Sequence, residues 1–168
     1  MSGKVLFLGY EDSPLVNWLI DNKYDVTVLT EKFSLDFVRE NSFEYMISYG
    51  YRFIIKKDII EHFNNKGINL HISFLPWNKG ADPNLWSLVE DTKKGVTIHY
   101  LDEGLDTGDI IAQKEVEFDM NNDTLSTSYG KLQDEMQSLF KENWDLIRTD
   151  KNLRIKQSGK GSYHNFND

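Results

Sequence analysis

The stretch Asn69–Trp86 reads NLHISFLPWNKGADPNLW, which indicates a strand that runs into a loop rich in Pro and Gly and then into a helix. Asn69 and His71 lie two positions apart among apolar residues. Side chains two apart in a strand point to the same face. We therefore expect Asn69 and His71 to lie side by side near the end of the strand, before the chain turns at Pro76 and Gly80. The rest of the chain is interpreted as the scaffold of this active-site strand.

Composition indicates one globular domain within the 168 residues, of which 39% are hydrophobic and 13% aromatic. We assign residues 1–150 to a catalytic domain and residues 151–168 to an irregular C-terminal tail. No apolar run approaches the roughly 18 residues that span a bilayer, so no membrane partner is expected. The chain has no cysteine, which excludes disulfides and thiolate metal sites and favours a cytoplasmic protein. A net charge of -8 offers no broad basic surface to a nucleic acid.

Apolar and β-branched segments alternate with helical patterns along the chain. The predicted strands are Lys4–Gly9, Tyr24–Leu29, Tyr45–Ser48, Ile68–Phe74, Gly95–Leu101 and Asp109–Val116. The predicted helices begin at Ser13-Pro14, cover Leu35–Glu40 and Lys57–Asn64, run from Asp82 or Asn84 to Val89, and follow an Asp123-Thr124 cap over Leu125–Ile147. The segment Gly95–Leu101 alternates, so we expect it to have one polar face and to form a hairpin with the next strand.

This order predicts an α/β, Rossmann-like fold with a mostly parallel sheet flanked by helices and a late antiparallel hairpin. In such sheets ligands bind at the carboxyl ends of the strands, and Asn69 and His71 lie towards one such end. The turn after the first strand, Gly9–Ser13, carries neither GxGxxG nor a P-loop pattern. Nothing in that turn therefore indicates a dinucleotide site.

Three chemically useful groups are expected to converge: the Asn69 amide, the His71 imidazole and the carboxylate of Asp106. An amide N–H can stabilise a developing negative oxygen, typically by about 3–4 kcal/mol. An imidazole can donate to the same oxygen or move a proton. A nearby carboxylate orients the imidazole and favours its charged form. This set suits acyl transfer in which the substrate itself is the nucleophile.

Two separated blocks of the sequence resemble the signatures of the folate-dependent formyltransferases. The first block is Asn69–Pro76 followed by Lys79-Gly80-Ala81, Pro83 and Trp86, and the second is Gly95–His99 followed by Leu105–Ile111. The resemblance is strong over residues 45–118. It implies the formyltransferase fold, 10-formyltetrahydrofolate as the formyl donor and a primary amine as the acceptor, with no metal.

The resemblance also implies roles for individual residues. Asn69, His71 and Asp106 would be the catalytic trio: Asn69 and protonated His71 hold the oxyanion, and Asp106 keeps His71 charged and helps to relay the proton of the amine. The pterin ring of the cofactor would be walled by two segments, whose cofactor-binding residues are Arg52, Phe53, Ile54, Glu103, Gly104 and Leu105.

Departures from the family pattern reduce the number of possible acceptors. The turn after the first strand holds Tyr10, Glu11 and Asp12 where the glycinamide ribonucleotide enzymes have a phosphate loop, which argues against that acceptor. The tRNA-directed members carry an added basic C-terminal domain, and we expect none in a chain that ends at Asp168. The loop from Pro76 and the tail residues 159–164 resemble the amino-sugar N-formyltransferases. The expected partner is therefore a small amine, such as a nucleotide-linked amino sugar. The sequence is also compatible with an oligomer.

Several polar and aromatic residues near the predicted site have two open interpretations. Ser73 lacks the context of a nucleophile elbow and would make either a structural or a substrate hydrogen bond. Lys79 would meet an anionic substrate or be solvated, and Trp77, like Trp86, would pack or stack on substrate. We take Ser73, Trp77 and Lys79 as candidate substrate contacts. His99 is interpreted as a residue of the polar strand face or as a substrate contact.

Two other functions are compatible with parts of the pattern. The same trio could use water as the acceptor, which would make the protein a formyltetrahydrofolate hydrolase. A non-catalytic protein that binds folate or a nucleotide sugar is the third hypothesis, against which the intact trio argues.

Overall fold

A computed structural model describes residues 3–168 of the chain. Met1 and Ser2, with which the predicted domain 1–150 begins, lie outside the described residues, and its boundary at residue 150 stays a prediction. The elements in chain order are β1 (Lys4–Gly9), α1 (Pro14–Asp21), β2 (Asp25–Leu29), α2 (Leu35–Asn41), β3 (Tyr45–Tyr49), α3 (Lys57–Phe63), a 3-10 turn (Asn64–Lys66), β4 (Gly67–His71), β5 (Lys79–Gly80), α4 (Pro83–Val89), β6 (Gly95–Tyr100), β7 (Ile110–Glu115), α5 (Leu125–Arg148) and β8 (Tyr163–His164).

The main sheet has six strands in the order β2-β1-β3-β4-β6-β7, and β5 and β8 form a separate two-stranded sheet. Strand β1 pairs in parallel with β2 and β3, and β3 pairs in parallel with β4. Strands β6 and β7 pair antiparallel, with an irregularity between Ile98 and His99. The predicted α/β architecture and its late hairpin are thus confirmed.

The chain divides into two compact units. Unit 1 contains the described residues up to Leu70 together with Tyr100–Glu103, and unit 2 contains His71–His99 and Gly104–Asp168.

In unit 1, strands β1, β3 and β4 are buried along most of their length, whereas β2 is only partly buried. In β1 every residue after Lys4 is buried, as expected of a parallel strand covered on both faces. The hydroxyls of Ser13 and Ser34 cap α1 and α2 by accepting from the backbone N–H groups of Leu15 and Phe37. Apolar side chains from its strands, helices and a connecting loop form one core cluster: Leu6, Leu8, Val38, Phe43, Met46, Ile59 and Phe63.

Unit 2 contains the longest helix, α5, which begins at a capping box. The Thr124 hydroxyl accepts from the Thr127 N–H, and the Thr127 hydroxyl accepts from the Thr124 N–H. Buried side chains of α5 recur every three or four residues and are Ser128, Leu132, Met136, Leu139, Phe140, Trp144 and Ile147. No helix of residues 3–168 is both long enough and apolar enough to span a membrane.

Two predictions about strands are wrong. The strand that carries His71 ends at that residue and does not continue to Phe74, because the Thr97 side chain bonds the backbone beyond it, at the Ser73 carbonyl and the Leu75 N–H. Strand β6 has no solvent-exposed face, because all six of its residues are buried, including Thr97 and His99 on its polar face. Its polar residues tolerate burial because Thr97 is hydrogen-bonded and His99 lies beside a carboxylate.

The tail beyond α5 was expected to be irregular. It contains the two-residue strand β8, which pairs in parallel with β5, and Ile155 forms an isolated antiparallel bridge with Ile110. The rest of the tail is irregular, as predicted.

Candidate active site

His71 closes strand β4, and both of its ring nitrogens face polar atoms of unit 2. The side chain is 8% exposed. The Nε2–H donates to the backbone carbonyl of Asn78 at 2.8 Å, and Nδ1 lies 3.6 Å from Oδ1 of Asp106. Because a carbonyl only accepts, Nε2 keeps its proton. Nδ1, beside the carboxylate, is therefore the nitrogen whose proton can be exchanged.

Asp106 lies on the loop that follows β6, with a left-handed backbone (φ 55°) that Asp tolerates better than most residues. Its Oδ2 accepts from the Gly80 N–H at 2.8 Å. Its Oδ1 lies 3.4 Å from Nε2 of His99, in addition to its approach to His71. The carboxylate is thus set between two imidazoles and a backbone N–H.

The charge of Asp106 is stabilised by these partners. Burial by itself would raise the pKa of the carboxyl. The charge of His71, the hydrogen bond and charge of His99, and the Gly80 N–H together outweigh burial and hold the pKa of Asp106 well below its usual range. At neutral pH the site therefore contains a buried carboxylate, which can orient an imidazole and accompany a proton transfer.

His99 is a member of the site that the sequence did not identify as one. Its side chain is 2% exposed and approaches Asp106, so His99 is a buried neighbour of the carboxylate, while its interpretation as a substrate contact stays a prediction. Strand alternation predicted a polar face and so concealed its burial. The available signal was its position seven residues before Asp106, at the other end of one short loop.

Asn78 is a second missed residue. It is fully buried, has a left-handed backbone (φ 56°), and its carbonyl accepts the His71 hydrogen bond. Its Nδ2–H donates to the Thr92 hydroxyl at 2.7 Å, and its backbone N–H donates to the Ser162 hydroxyl at 2.8 Å. The Asn-Lys-Gly sequence is typical of a turn, but this pattern did not indicate that the turn would bind the His71 imidazole.

The predicted substrate contacts lie on the loop after His71. Ser73 is 2% exposed, and its hydroxyl donates to the Trp77 carbonyl at 2.7 Å, which holds the loop closed. Trp77 and Lys79 are half-buried. Lys79 belongs to β5 and is paired in register with Tyr163. The substrate-binding role of all three residues stays a prediction.

The Thr97 hydroxyl makes hydrogen bonds to the backbone of this loop. It donates to the Ser73 carbonyl at 2.7 Å and accepts from the Leu75 N–H at 3.2 Å. The Gln113 amide donates both to Thr97, at 3.0 Å, and to the Leu75 carbonyl, at 2.7 Å. The hairpin β6–β7 thus fixes the backbone that leads from His71 to Asn78.

Asn69 precedes His71 by two residues in the same strand but belongs to unit 1. It is half-buried and lies opposite Ser48 in the register between β4 and β3. The structure therefore places it on the predicted strand, and its role as an oxyanion donor stays a prediction.

The predicted cofactor residues are exposed. In unit 1, Arg52, Phe53 and Ile54 lie on the loop after β3, where Ile54 is 78% exposed, and Glu103 pairs with Lys57 at 2.9 Å. In unit 2, Gly104 and Leu105 lead into Asp106, and Leu105 is 46% exposed. Within the part of the chain that the structure describes, no three His, Asp or Glu residues are grouped so that they could hold a metal ion.

The sequence was compared with families and with known proteins. The family model described as formyl transferase matches residues 11–143. Methionyl-tRNA formyltransferase from Clostridioides difficile is 33% identical over 134 residues, which are 77% of this chain and 42% of that protein. The dTDP-4-amino-4,6-dideoxyglucose formyltransferase from Mycobacterium bovis is 36% identical over 100 residues, or 54% of this chain and 42% of that protein. The chain thus spans less than half the length of these curated relatives.

A solved structure resembles the whole chain more closely. The formyltransferase PseJ from Anoxybacillus kamchatkensis, in complex with UDP-4,6-dideoxy-4-formamido-L-AltNAc and tetrahydrofolate, superposes with a TM-score of 0.92 at 51% identity. The superposition covers 98% of this chain and 86% of that one. The resemblance to formyltransferases that the two sequence blocks indicated is confirmed, and the chain belongs to the formyl transferase family.

Proposed function

We propose that this protein is an N-formyltransferase that moves the formyl group of 10-formyltetrahydrofolate to the amine of a nucleotide-linked amino sugar. The acceptor we favour is a UDP-linked 4-amino-4,6-dideoxy sugar. PseJ, 51% identical over 98% of this chain, was solved with a UDP-linked 4-formamido sugar, which corresponds to the product of such a transfer. The Mycobacterium bovis relative, named for a dTDP-linked 4-amino sugar, supports the same class of acceptor.

The single observation that carries the proposal is the buried Asp106 carboxylate beside Nδ1 of His71, at the carboxyl end of a strand, in a chain of this family. Parallel sheets bind their ligands at that end. Neither residue is a serine or a cysteine, the side chains that usually form a covalent acyl intermediate. The pair suits a direct transfer in which the amine attacks the formyl carbon and loses a proton.

The donor supplies a formyl group held on a nitrogen, so that transfer makes one carbon–nitrogen bond and breaks another while one proton leaves the amine and one reaches the folate nitrogen. The residues on the page fit such a molecule. Phe53 and Ile54 present exposed apolar surface suited to a pterin ring, next to Arg52, which could pair with an anionic folate tail. Leu105 presents apolar surface on its own loop.

The chain's own residues divide the chemistry as follows. The Asn69 amide, two positions before His71 in β4, would donate to the formyl oxygen as negative charge develops there. His71 would use Nδ1 to donate to this oxygen or to take up a proton, since its Nε2–H is held by Asn78. Asp106 would hold the imidazolium by its charge. Ser73, Trp77 and Lys79 remain proposed acceptor contacts.

The test is a formylation assay with purified protein, 10-formyltetrahydrofolate and a panel of UDP- and dTDP-linked 3-amino and 4-amino sugars. Mass spectrometry would detect the formylated sugar, and absorbance would follow the release of tetrahydrofolate. We expect formylation of a UDP-linked 4-amino sugar at a rate above that of the 3-amino sugars. A matched reaction without any amine measures hydrolysis.

Each other outcome assigns a different function. Release of tetrahydrofolate at the same rate without an amine would indicate a formyltetrahydrofolate hydrolase. Binding of folate or nucleotide sugar without turnover would indicate a non-catalytic binding protein. Failure to bind any reduced folate would overturn the donor assignment. A cytoplasmic location stays a prediction of the sequence.

A further inference from the structure

The segment Arg154–His164 of the tail touches both loops on which the site depends. We propose that this segment, here called the C-terminal clasp, is a positioning element of the catalytic site, and that Gln157 and Ser162 are its positioning residues. The proposal rests on the proposed function in so far as His71 and Asp106 are taken as catalytic. All the contacts that carry it lie within unit 2.

The first half of the clasp holds the loop that carries Asp106. The Gln157 side-chain amide donates to the backbone carbonyls of Asp106 and Gly108, both at 2.8 Å. Arg154 pairs with the Asp109 carboxylate at 2.8 Å, and Ile155 bridges Ile110 through two backbone hydrogen bonds. Gln157 therefore binds the backbone of the catalytic carboxylate itself, at a residue with a left-handed conformation that needs support.

The second half of the clasp holds the loop that orients His71. The Ser162 hydroxyl accepts from the Asn78 N–H at 2.8 Å, and the Ser162 N–H donates to the Pro76 carbonyl at 3.1 Å. The carbonyl of the same Asn78 accepts the His71 Nε2–H. The backbone of one residue, Asn78, thus connects the Ser162 hydroxyl to the His71 imidazole.

The approach of the clasp to this loop is close enough to require glycine on both sides. A Cβ on Gly161 would lie 2.1 Å from the Pro76 carbonyl oxygen, and one on Gly80 would lie 2.1 Å from the His164 carbonyl oxygen. Both glycines have positive φ, +60° and +86°. The Gly80 N–H donates to the Asp106 carboxylate, so the pairing of β5 with β8 also sets a donor of the site.

The end of the clasp is fixed by a side chain outside the site. The His164 ring stacks on Trp86 with centroids 3.9 Å apart and an angle of 5° between the planes, and it pairs with Glu90. The end of the clasp is therefore anchored on α4, in addition to the contacts that the rest of the clasp makes with the two loops. Because its end is held in this way, the clasp can keep both loops in a fixed position.

The test uses side-chain changes in the full chain. Gln157→Glu keeps the shape but turns a donor into a carboxylate that faces two carbonyl oxygens, and Gln157→Ala removes the donor. Ser162→Ala removes the hydroxyl, and Ser162→Thr returns one. Two exposed residues of the same segment, Lys156→Ala and Ser158→Ala, are the matched controls.

We expect kcat to fall about 10-fold to 100-fold in Gln157→Glu and Ser162→Ala, because a small displacement of catalytic groups has effects of this order. KM for donor and acceptor should stay within about threefold, because neither residue is proposed to touch substrate. Ser162→Thr should recover most of the lost kcat, and both controls should match the wild type. Folding of every variant is checked by thermal unfolding.

A second readout does not depend on turnover. In ¹⁵N NMR spectra of the imidazole rings, the His71 signals should move in Ser162→Ala and Gln157→Glu and stay in place in the controls. Wild-type kcat and unchanged His71 signals in both folded variants would overturn the clasp proposal and leave the proposed function standing. An inactive wild type would overturn the proposed function, while the NMR spectra would still decide whether the clasp positions His71. If Gln157→Glu does not fold, Gln157→Ala takes its place in both readouts.

Discussion

Asp106 keeps a negative charge in a largely buried position because two imidazoles and a backbone N–H lie beside it. Two imidazoles and the Gly80 N–H offset the cost of removing the carboxylate from water. The same contacts fix the direction of the carboxylate towards His71. At the residue scale, the proposed chemistry therefore depends on a few side chains whose charges and hydrogen bonds depend on one another.

Replacement of Asn69 by alanine should lower kcat about 10²-fold to 10³-fold, because removal of one oxyanion donor has this effect in other acyl-transfer sites. KM for the acceptor should change little, since the amide is proposed to act on the developing charge. Steady-state kinetics with the sugar found in the panel assay would measure both values. The exposed Asn167→Ala is the control, and a loss of less than about fivefold in Asn69→Ala would contradict the oxyanion role.

The depressed pKa of Asp106 predicts how stability depends on pH. A carboxyl whose pKa is lower in the folded than in the unfolded chain adds stability above its unfolded value, near 3.8, and loses it as pH falls towards the folded value. Asp106→Asn should therefore be less stable than the wild type at neutral pH, and the difference should shrink as pH falls below about 4. Urea unfolding at a series of pH values measures this difference. A difference that stays constant down to the acid limit would contradict the prediction.

His99→Asn should lower kcat/KM about 10-fold or more at neutral pH, because a hydrogen bond to a charged group contributes about 1.5–3 kcal/mol. The Asp106 carboxylate would lose one of the two imidazoles beside it and its orientation towards His71. The matched control is His62→Asn, a change at an exposed histidine of α3, which should leave kcat/KM as in the wild type. Equal activity of the two variants would show that His99 is only a core residue.

At the scale of elements, the site is assembled from the end of β4, the loop that follows it, and the hairpin β6–β7. The loop has little regular structure of its own, so side chains of the hairpin replace a ladder of backbone hydrogen bonds. Thr97 is fully buried and bonds three groups of this loop and of β7. The hairpin therefore does more than extend the sheet, since it fixes the path from His71 to Asn78.

Thr97→Val keeps the shape of the side chain and removes its hydroxyl, leaving the Ser73 carbonyl and the Leu75 N–H without this partner. We expect the free energy of unfolding to fall by about 1–3 kcal/mol, the usual cost of buried polar groups that lose their partner. Thr27→Val, at a partly exposed position of β2, is the control and should stay within about 0.5 kcal/mol of the wild type. Denaturant unfolding measures both. Equal stability of the two variants would contradict a supporting role of Thr97.

At the scale of the whole molecule, the net charge of the protein distinguishes between polyanionic and small acceptors. The net charge of -8 repels polyanions, whereas a nucleotide sugar brings few charges and can be bound by local groups. The small acceptor is therefore the one that agrees with the composition.

We expect tRNA to bind this protein more weakly than about 10⁻⁴ M at physiological salt, the weak limit of non-specific binding by proteins with basic surfaces. Initiator methionyl-tRNA should likewise not be formylated above background under conditions in which a nucleotide-linked amino sugar is. Filter binding and a formylation assay with both acceptors in parallel measure this. Tight binding of tRNA that weakens steeply with salt would contradict the small-acceptor assignment.

Local sequence patterns were enough to predict the order of the main strands and helices, the α/β class and the residues proposed as the trio. These properties are written in local patterns: apolar runs with the period of strands, caps before helices, and two short blocks around Asn69 and Asp106. Local patterns also misled, since the alternation in Gly95–Leu101 predicted a polar face that is in fact buried. Strand periodicity reports side-chain type and does not report what covers each face.

Only the tertiary structure decided how the site is held. Asn78 and Ser162 are 84 positions apart, and Gln157 reaches a carbonyl 51 positions before it. Hydrogen bonds of this kind form only where the fold brings two distant segments together. The local sequence of one segment does not indicate which other segment will lie beside it. For the same reason the sequence did not show that His99 lies beside Asp106, or that the tail after residue 150 contacts both loops of the candidate site.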